Sequence, residues 1–584
     1  MLHRTSFLAG IAFFMTWGNL VLYGQISGRV FRDYNANGLR DSTAAYFEPG
    51  VPDVQVIITG ALGNTMLSIT NEQGHFEANP VDPAPYRVEF AHSLPFDFSA
   101  PAYVSDDGSG GAVQFIMEGT AFLSYGINYP ADHCADASLL TPCYVMGDPL
   151  DTTSAFKEFD AFVKFPYSTG GKNFSGIVQS QHGGAAANLA SLGTGSQIGS
   201  CWGVSVQRST GKIYTSAALK RHAGIGPLSY GGLYQLDMLG NSAMPWIDLN
   251  SIGVPSGGFP DNAQRMLPVA IPPISTDSLA YSQIGKISYG GMDISDDDKT
   301  LYIVSLYTRK LYSVFIDVPG VVPGPEDVDS FDIPDPGCTH GTYRPWAVKV
   351  HRGVVYLGVV CDASHSGGSS SDLSAYVYAF HPSTATFEEV LRFPLDYPAF
   401  TNKFNFNPWI DVWNGDCPDG GDVFCQYPQP VLSDIDFDGD DVMVLGIMDR
   451  YSMQGGINQH DLDGHGIHTI ISFGDILRAR YDPATSTFAL ENNANDGFSE
   501  TAGKNTGFGP GGGEYYFGDH AVSLAGLPVE RESVNGAVAL CPGYRTVATT
   551  CVDPFDQFTS GIIHLNNQSG DWDRRYVIIP KDFG

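Results

Sequence analysis

"GGMDISDDDKTLYIVSLYTRKLYSVFID", residues 290–317, reads as a strand, a tight acidic turn, an apolar strand, a short loop and a third strand ending in aromatic and aliphatic side chains. A single unit of this kind cannot bury a core alone. The plan recurs imperfectly along the chain. It returns in "WGVSVQRSTGKIYTSAAL" (202–219) with "GGLYQLDM", and in "WAVKVHRGVVYLGVVC" (346–361) with "SAYVYAFHP". It returns again in "LSDIDFDGDDVMVLGIMDR" (432–450) with "GDILRARYDP", and in "HAVSLAGLPVERESVNGAVALC" (520–541) with "SGIIHLNN". Repeated hairpin-plus-strand units stack radially, so residues 151–584 are predicted to form a β-propeller of five to seven blades. The units start near Trp202, Gly290, Trp346, Leu432 and His520, an irregular spacing of about 55 to 90 residues that requires long inserted loops. "FDAFVKFPYS" (159–168) reads as a strand of one further blade. The chain stops at "VIIPKDFG" with no obvious closing repeat, which fits a piece of something longer.

Composition agrees with an all-β chain. There are 68 Gly, 37 Pro, 29 Tyr and 35 Phe in 584 residues, against 31 Lys and Arg together, the usage of many short strands and tight turns. The net charge of −32 repels nucleic acid and anionic lipid and attracts divalent cations, so no nucleic-acid partner is expected. "MLHRTSFLAGIAFFMTWGNLVLYG" has a basic start, a short apolar run and a small residue before Gln25, the plan of a signal peptide over 1–24. No later stretch is long and apolar enough to span a bilayer. The mature chain is expected to be secreted or at the cell surface. Nine cysteines suit an oxidising compartment. Cys134 with Cys143, Cys417 with Cys425 and Cys541 with Cys551 are expected as local loop staples, Cys338 with Cys361 as a fourth bridge, and Cys201 as a buried thiol. Residues 130–150 read as a linker carrying the first of these staples.

Ahead of that linker, alternation at Ile26-Gly28-Val30, Val54-Val56-Ile58 and Tyr86-Val88-Phe90 marks strands with one buried face. Four or more such strands in about a hundred residues predict a small antiparallel β-sandwich over 25–129. Its first strand runs into "RDYNANGLRD" (32–41). Counting from Asp33 in the manner of a calcium loop places Asp33, Asn35, Asn37, the Leu39 carbonyl and Asp41 at alternate positions, with Gly38 sixth, where the chain turns sharply. Ala44, at position twelve, cannot donate, and Glu48 is the expected substitute. The bland alternative is an Asn- and Asp-rich turn without metal.

"GRVF", "DYNANGLRD", "EPGV" and "TNEQGHFEA", in that order, resemble the strand, loop and turn elements of SdrD B-like modules of bacterial surface adhesins. The resemblance covers 25–129 and implies a Ca²⁺-binding B-type sandwich, with an insertion ahead of Glu48. Related folds cross-link through a Lys–Asn isopeptide bond; here the first lysine is Lys157, so stiffness must come from calcium and packing. "GSQIGSCWGVSVQRSTGKIYTSAALKRH" and "SDIDFDGDDVMVLGIMDR" resemble the propeller-like region beside such modules, which implies architecture and location only.

Other constellations are weaker. "SDIDFDGDD" (433–441) reads as a hairpin turn rather than a second calcium loop. "HDLDGHGIH" (460–468) mixes His and Asp in a loop without the helix of a zinc protease. No nucleophile elbow or phosphate-binding loop is present. Individual Asp, His and Arg residues such as Arg221, His222 and Arg344 could face a propeller channel. Two functional readings follow. The first is an exported, non-catalytic bacterial surface or matrix protein whose propeller loops bind an extracellular protein or glycan. The second is an extracellular propeller hydrolase or lyase acting on polysaccharide, with the B-type module as spacer.

Overall fold

The computed structural model describes residues 24–579 apart from 44, 93–96, 106–107, 118–119, 136, 172–188, 239, 318–319, 400–404, 414–416, 419–422, 496, 498–502, 523–527 and 553–559. The predicted signal peptide lies almost wholly outside the described residues. Two compact units emerge: Asp41 and the residues before it with Glu48–Tyr129, and Ser42–Phe47 with Pro130 onward.

The smaller unit contains β1 (Ile26–Arg32), β2 (Gln55–Thr59), β3 (Thr65–Ile69), β4 (His75–Ala78), β5 (Tyr86–Ala91), β6 (Phe98–Ser99), β7 (Val113–Ile116) and β8 (Ala121–Asn128). They form two four-stranded sheets, β4-β1-β8-β6 and β3-β2-β5-β7. Side chains at period two point inward from both: Val30, Phe76, Tyr125 and Ile127 from one sheet meet Val56, Ile58, Val88 and Phe90 from the other. The sandwich is antiparallel except at one pairing. β1 and β8 run parallel in register from Ile26–Ala121 to Arg32–Ile127.

Among the described residues the larger unit forms a propeller of six blades. Blade one is a three-stranded sheet of Ser138–Pro142, Asp160–Pro166 and Ala190–Thr194. Blades two to six are four-stranded antiparallel meanders that begin at Cys201, Tyr289, Tyr343, Pro430 and Val534. Their first strands lie next to one another around the ring, and all six sheets keep sequence order. Three expectations need correction here. Residues 130–150 are not a linker, because Ser138–Pro142 is a strand of blade one. The unit assigned to His520 is a separate hairpin, His520–Val522 with Pro528–Glu532, and the last blade starts at Val534. The cysteines pair as Cys134–Cys541, Cys338–Cys361 and Cys417–Cys425, leaving Cys143, Cys201 and Cys551 as buried thiols. The staples expected at Cys134–Cys143 and Cys541–Cys551 are therefore replaced by one bond across 407 residues of sequence.

That bond links the first and last blades, which no exchanged strand joins among the described residues. Around it, Tyr167 donates its hydroxyl to the Thr546 carbonyl at 2.5 Å, and Arg574 donates to the Tyr167 carbonyl at 3.0 Å. Phe165 stacks on Tyr576 at 4.6 Å between ring centroids.

Candidate calcium loop and other polar clusters

Asp33 follows β1 directly and is 1% exposed, because its backbone N–H is held by the Ile127 carbonyl at 2.9 Å and its own carbonyl by the Asn128 amide at 2.8 Å. The chain then turns through Ala36 (φ 53°) and Gly38 (φ 77°). Gly38 is required: a Cβ there would strike the Pro101 carbonyl, and its φ is left-handed. Asp33 Oδ1 accepts the Asn37 N–H at 3.1 Å and Oδ2 the Gly38 N–H at 2.7 Å. Asn35 and Asn37 direct their amide nitrogens to Asp41 Oδ2, at 2.7 and 3.1 Å. Asn37 Oδ1 accepts the Leu39 N–H at 2.7 Å, and Leu39 forms a lone β-bridge with Gly108.

Glu48 reaches back across the loop and is completely buried. Its Oε1 accepts the Tyr34 N–H at 2.9 Å and its Oε2 the Asp41 N–H at 2.8 Å, while its own N–H bonds the Asp41 carbonyl at 2.9 Å. The six-residue gap after Asp41 is thus spanned, with Ser42–Phe47 belonging to the larger unit. Arg40, which the sequence did not single out, donates to the Glu48 carbonyl at 3.1 Å. Burial, with Asp33 and Asp41 nearby, pushes the Glu48 carboxyl up to about 8; burial and Asp41 raise Asp33 in the same sense. The donor set is all oxygen and includes three carboxylates, which fits a hard divalent cation. Asp33, Asp41 and Glu48 do not all lie within 4.8 Å of one another, so the loop would have to draw in around an ion.

The other polar stretches that the sequence singles out are used by the fold. Asp438 Oδ1 accepts the N–H groups of Asp440 and Val442 at 2.9 and 3.0 Å, a hairpin turn. In "HDLDGHGIH", Asp461 accepts the N–H groups of His465 and Gly466 at 3.0 and 2.8 Å. His468 lies against the Cys417–Cys425 disulfide, whose sulfurs cannot act as thiolate ligands. Arg221 is 1% exposed and donates to the carbonyls of Gln454 and His460 at 3.0 and 2.8 Å. His222 Nδ1 pairs with Ser275 Oγ at 2.7 Å, and Arg344 with Asp362 at 2.7 Å. On the first strands of the blades, acids hold the next blade: Asp293 accepts the Val350 N–H at 2.9 Å, Asp434 the Val538 N–H at 2.9 Å and Asp436 the Leu540 N–H at 2.7 Å. Lys349 bonds Asp436 at 2.8 Å.

Comparison with known proteins bears on the chain unevenly. Colossin-A of Dictyostelium discoideum is 25% identical over 93% of this chain, which spans 5% of Colossin-A. Colossin-D of the same organism is 25% identical over 78% of the chain, which spans 45% of it. The chain thus spans half or less of these relatives. A gluconolactonase from Xanthomonas campestris aligns with 66% of this chain and 78% of its own at 7% identity and TM-score 0.30. An ulvan lyase aligns with 76% of this chain and 88% of its own at 9% identity and TM-score 0.32. Scores this low carry nothing over to the chain. Residues 24–133 match the SdrD B-like domain, the module that the loop and its flanking elements resemble.

Proposed function

We propose that this is a secreted or cell-surface structural and adhesion protein without catalytic activity. Calcium bound by Asp33, Asn35, Asn37, the Leu39 carbonyl, Asp41 and Glu48 stiffens the B-type module, and the propeller loops bind an extracellular protein or glycan. The observation that carries the reading is the loop after β1, where a fully buried glutamate joins Asp33 and Asp41 around the turn at Gly38. A bound cation would offset the repulsion among these acids. Two further observations support it. The acids of the first propeller strands are engaged in holding neighbouring blades, which counts against the polysaccharide hydrolase or lyase reading. Among the described residues, no helix is long and apolar enough to cross a membrane.

Two measurements test it. The full chain, tagged and expressed in a secretion-competent host, should be labelled on unpermeabilised cells or recovered from the medium; retention inside the cell would contradict export. Incubated with uronic-acid polysaccharides, the purified chain should release no reducing ends and no unsaturated product. Steady product release would replace the adhesion reading with the enzymatic one.

A further inference from the structure

Between blades five and six the chain makes a long excursion that contains the hairpin His520–Val522 with Pro528–Glu532. Three carboxylates from separate places meet beside it. Asp475 opens the third strand of blade five, Asp519 precedes the hairpin and Glu532 ends it. They are 2%, 3% and 7% exposed, and one oxygen from each lies within 4.8 Å of the other two. Two oxygens on one calcium ion, each about 2.4 Å from it, are at most about 4.8 Å apart. The triangle is therefore of coordination size.

The Arg575 guanidinium acts on Asp519, but the neighbours of Glu532 are acids. Burial raises the Glu532 carboxyl well above the usual range, and its strongest electrostatic neighbours, Asp475, Glu514 and Asp519, push the same way. Burial and then Glu514, Asp475 and Glu491 do the same to Asp519. Arg478, the base acting on Glu491, is already paired with Asp438 at 2.8 Å. Glu491 itself is taken up by the Arg478 and Tyr515 N–H groups at 2.9 and 2.6 Å. An independent sign is Glu532 Oε2, which is shut off from solvent without a hydrogen bond, its side-chain neighbour being the Glu514 carboxyl, a donor only when protonated. Such an oxygen is costly to bury unless a proton or a cation completes it.

We propose that Asp475, Asp519 and Glu532 bind a divalent cation of the hard, calcium-like class within the propeller. The oxygen-only, anionic donor set, without imidazole or thiolate, selects such an ion over zinc or copper. Tyr397, whose hydroxyl donates to Asp475 Oδ2 at 2.6 Å, orients that ligand. The ion would tie blade five to the hairpin leading into blade six. The site shares no residue with the loop of the smaller unit and stands whether or not that loop binds calcium.

Equilibrium dialysis of the full chain with radioactive calcium separates the two. Asp33→Ala removes the loop's contribution, and Glu532→Gln or Asp475→Asn should remove one further equivalent from that background. Glu532→Gln keeps the side chain's size; its retained fold is checked by circular dichroism. Terbium, a calcium surrogate sensitised by tyrosine, gives a second reading: emission from the Asp33→Ala chain should fall at least tenfold on adding Glu532→Gln. Unchanged calcium stoichiometry and unchanged emission in Glu532→Gln would overturn the proposal. So would a chain that melts higher in EDTA on Glu532→Gln and is indifferent to calcium, since a proton would then complete the cluster.

Discussion

Gly38 shows how much one position can settle. Its left-handed φ and the carbonyl of Pro101 behind it leave no room for a side chain. Gly38→Ala should therefore destabilise the smaller unit by about 1–3 kcal/mol, the range for strained left-handed non-glycine residues, measured by urea unfolding. An unchanged midpoint would mean that the turn relaxes freely. This residue was legible in the sequence because turn chemistry is local: an acid, two amides and a glycine at fixed offsets define it. Glu48 was less plain, since six residues that belong to the larger unit separate it from Asp41. Asp475, Asp519 and Glu532 were not legible at all. Asp475 opens a strand of blade five while Asp519 and Glu532 flank one hairpin, and no spacing in one sequence brings them together.

Between strands, side chains on the blade walls replace what a ladder cannot supply. Asp434 on the first strand of blade five accepts the Val538 N–H of blade six, and burial followed by the nearby Asp436 raises its carboxyl to about 7, with Lys349 opposing. The folded chain thus holds this proton more tightly than the unfolded chain, whose value is near 3.9. Its contribution is fully present below that value and is lost as pH rises through about 7. Asp434→Asn keeps an acceptor and cannot ionise, so its melting temperature relative to the parent should climb between pH 5 and pH 8. A constant difference across that range would show that Asp434 is ionised throughout. The same contacts explain a misplaced strand. "HAVSL" alternates as a blade strand should, yet Asp434 and Asp436 pair instead with "VNGAVAL", so the unit begins at Val534. Ser138–Pro142 was missed because five residues beside a cysteine carry too little periodicity to stand out.

The whole propeller depends on joining its ends. Each of the six blade sheets keeps sequence order, so among the described residues no strand from one terminus completes the blade of the other, and Cys134–Cys541 supplies a covalent link. Cys134→Ser should lower stability by about 2–5 kcal/mol, whereas Cys143→Ser should change it far less. Peptide mapping of the unreduced chain should recover Cys134 joined to Cys541; recovery of Cys134 joined to Cys143 would contradict this closure. The order of the repeats was legible because each blade carries its own turn and apolar pattern, while their number was bounded only to between five and seven. The closure was not, because cysteines near in sequence look like natural partners, while the ring brings the distant ones together. For the proposed role of the smaller unit, the most direct measurement is hydrogen–deuterium exchange of the full chain in millimolar Ca²⁺ and in EDTA, followed on peptides covering residues 33–41. Calcium should slow exchange of those amides as the loop draws in around the ion, and Asp33→Ala should abolish the difference. Identical exchange of the parent chain in calcium and in EDTA would make the loop a turn and nothing more.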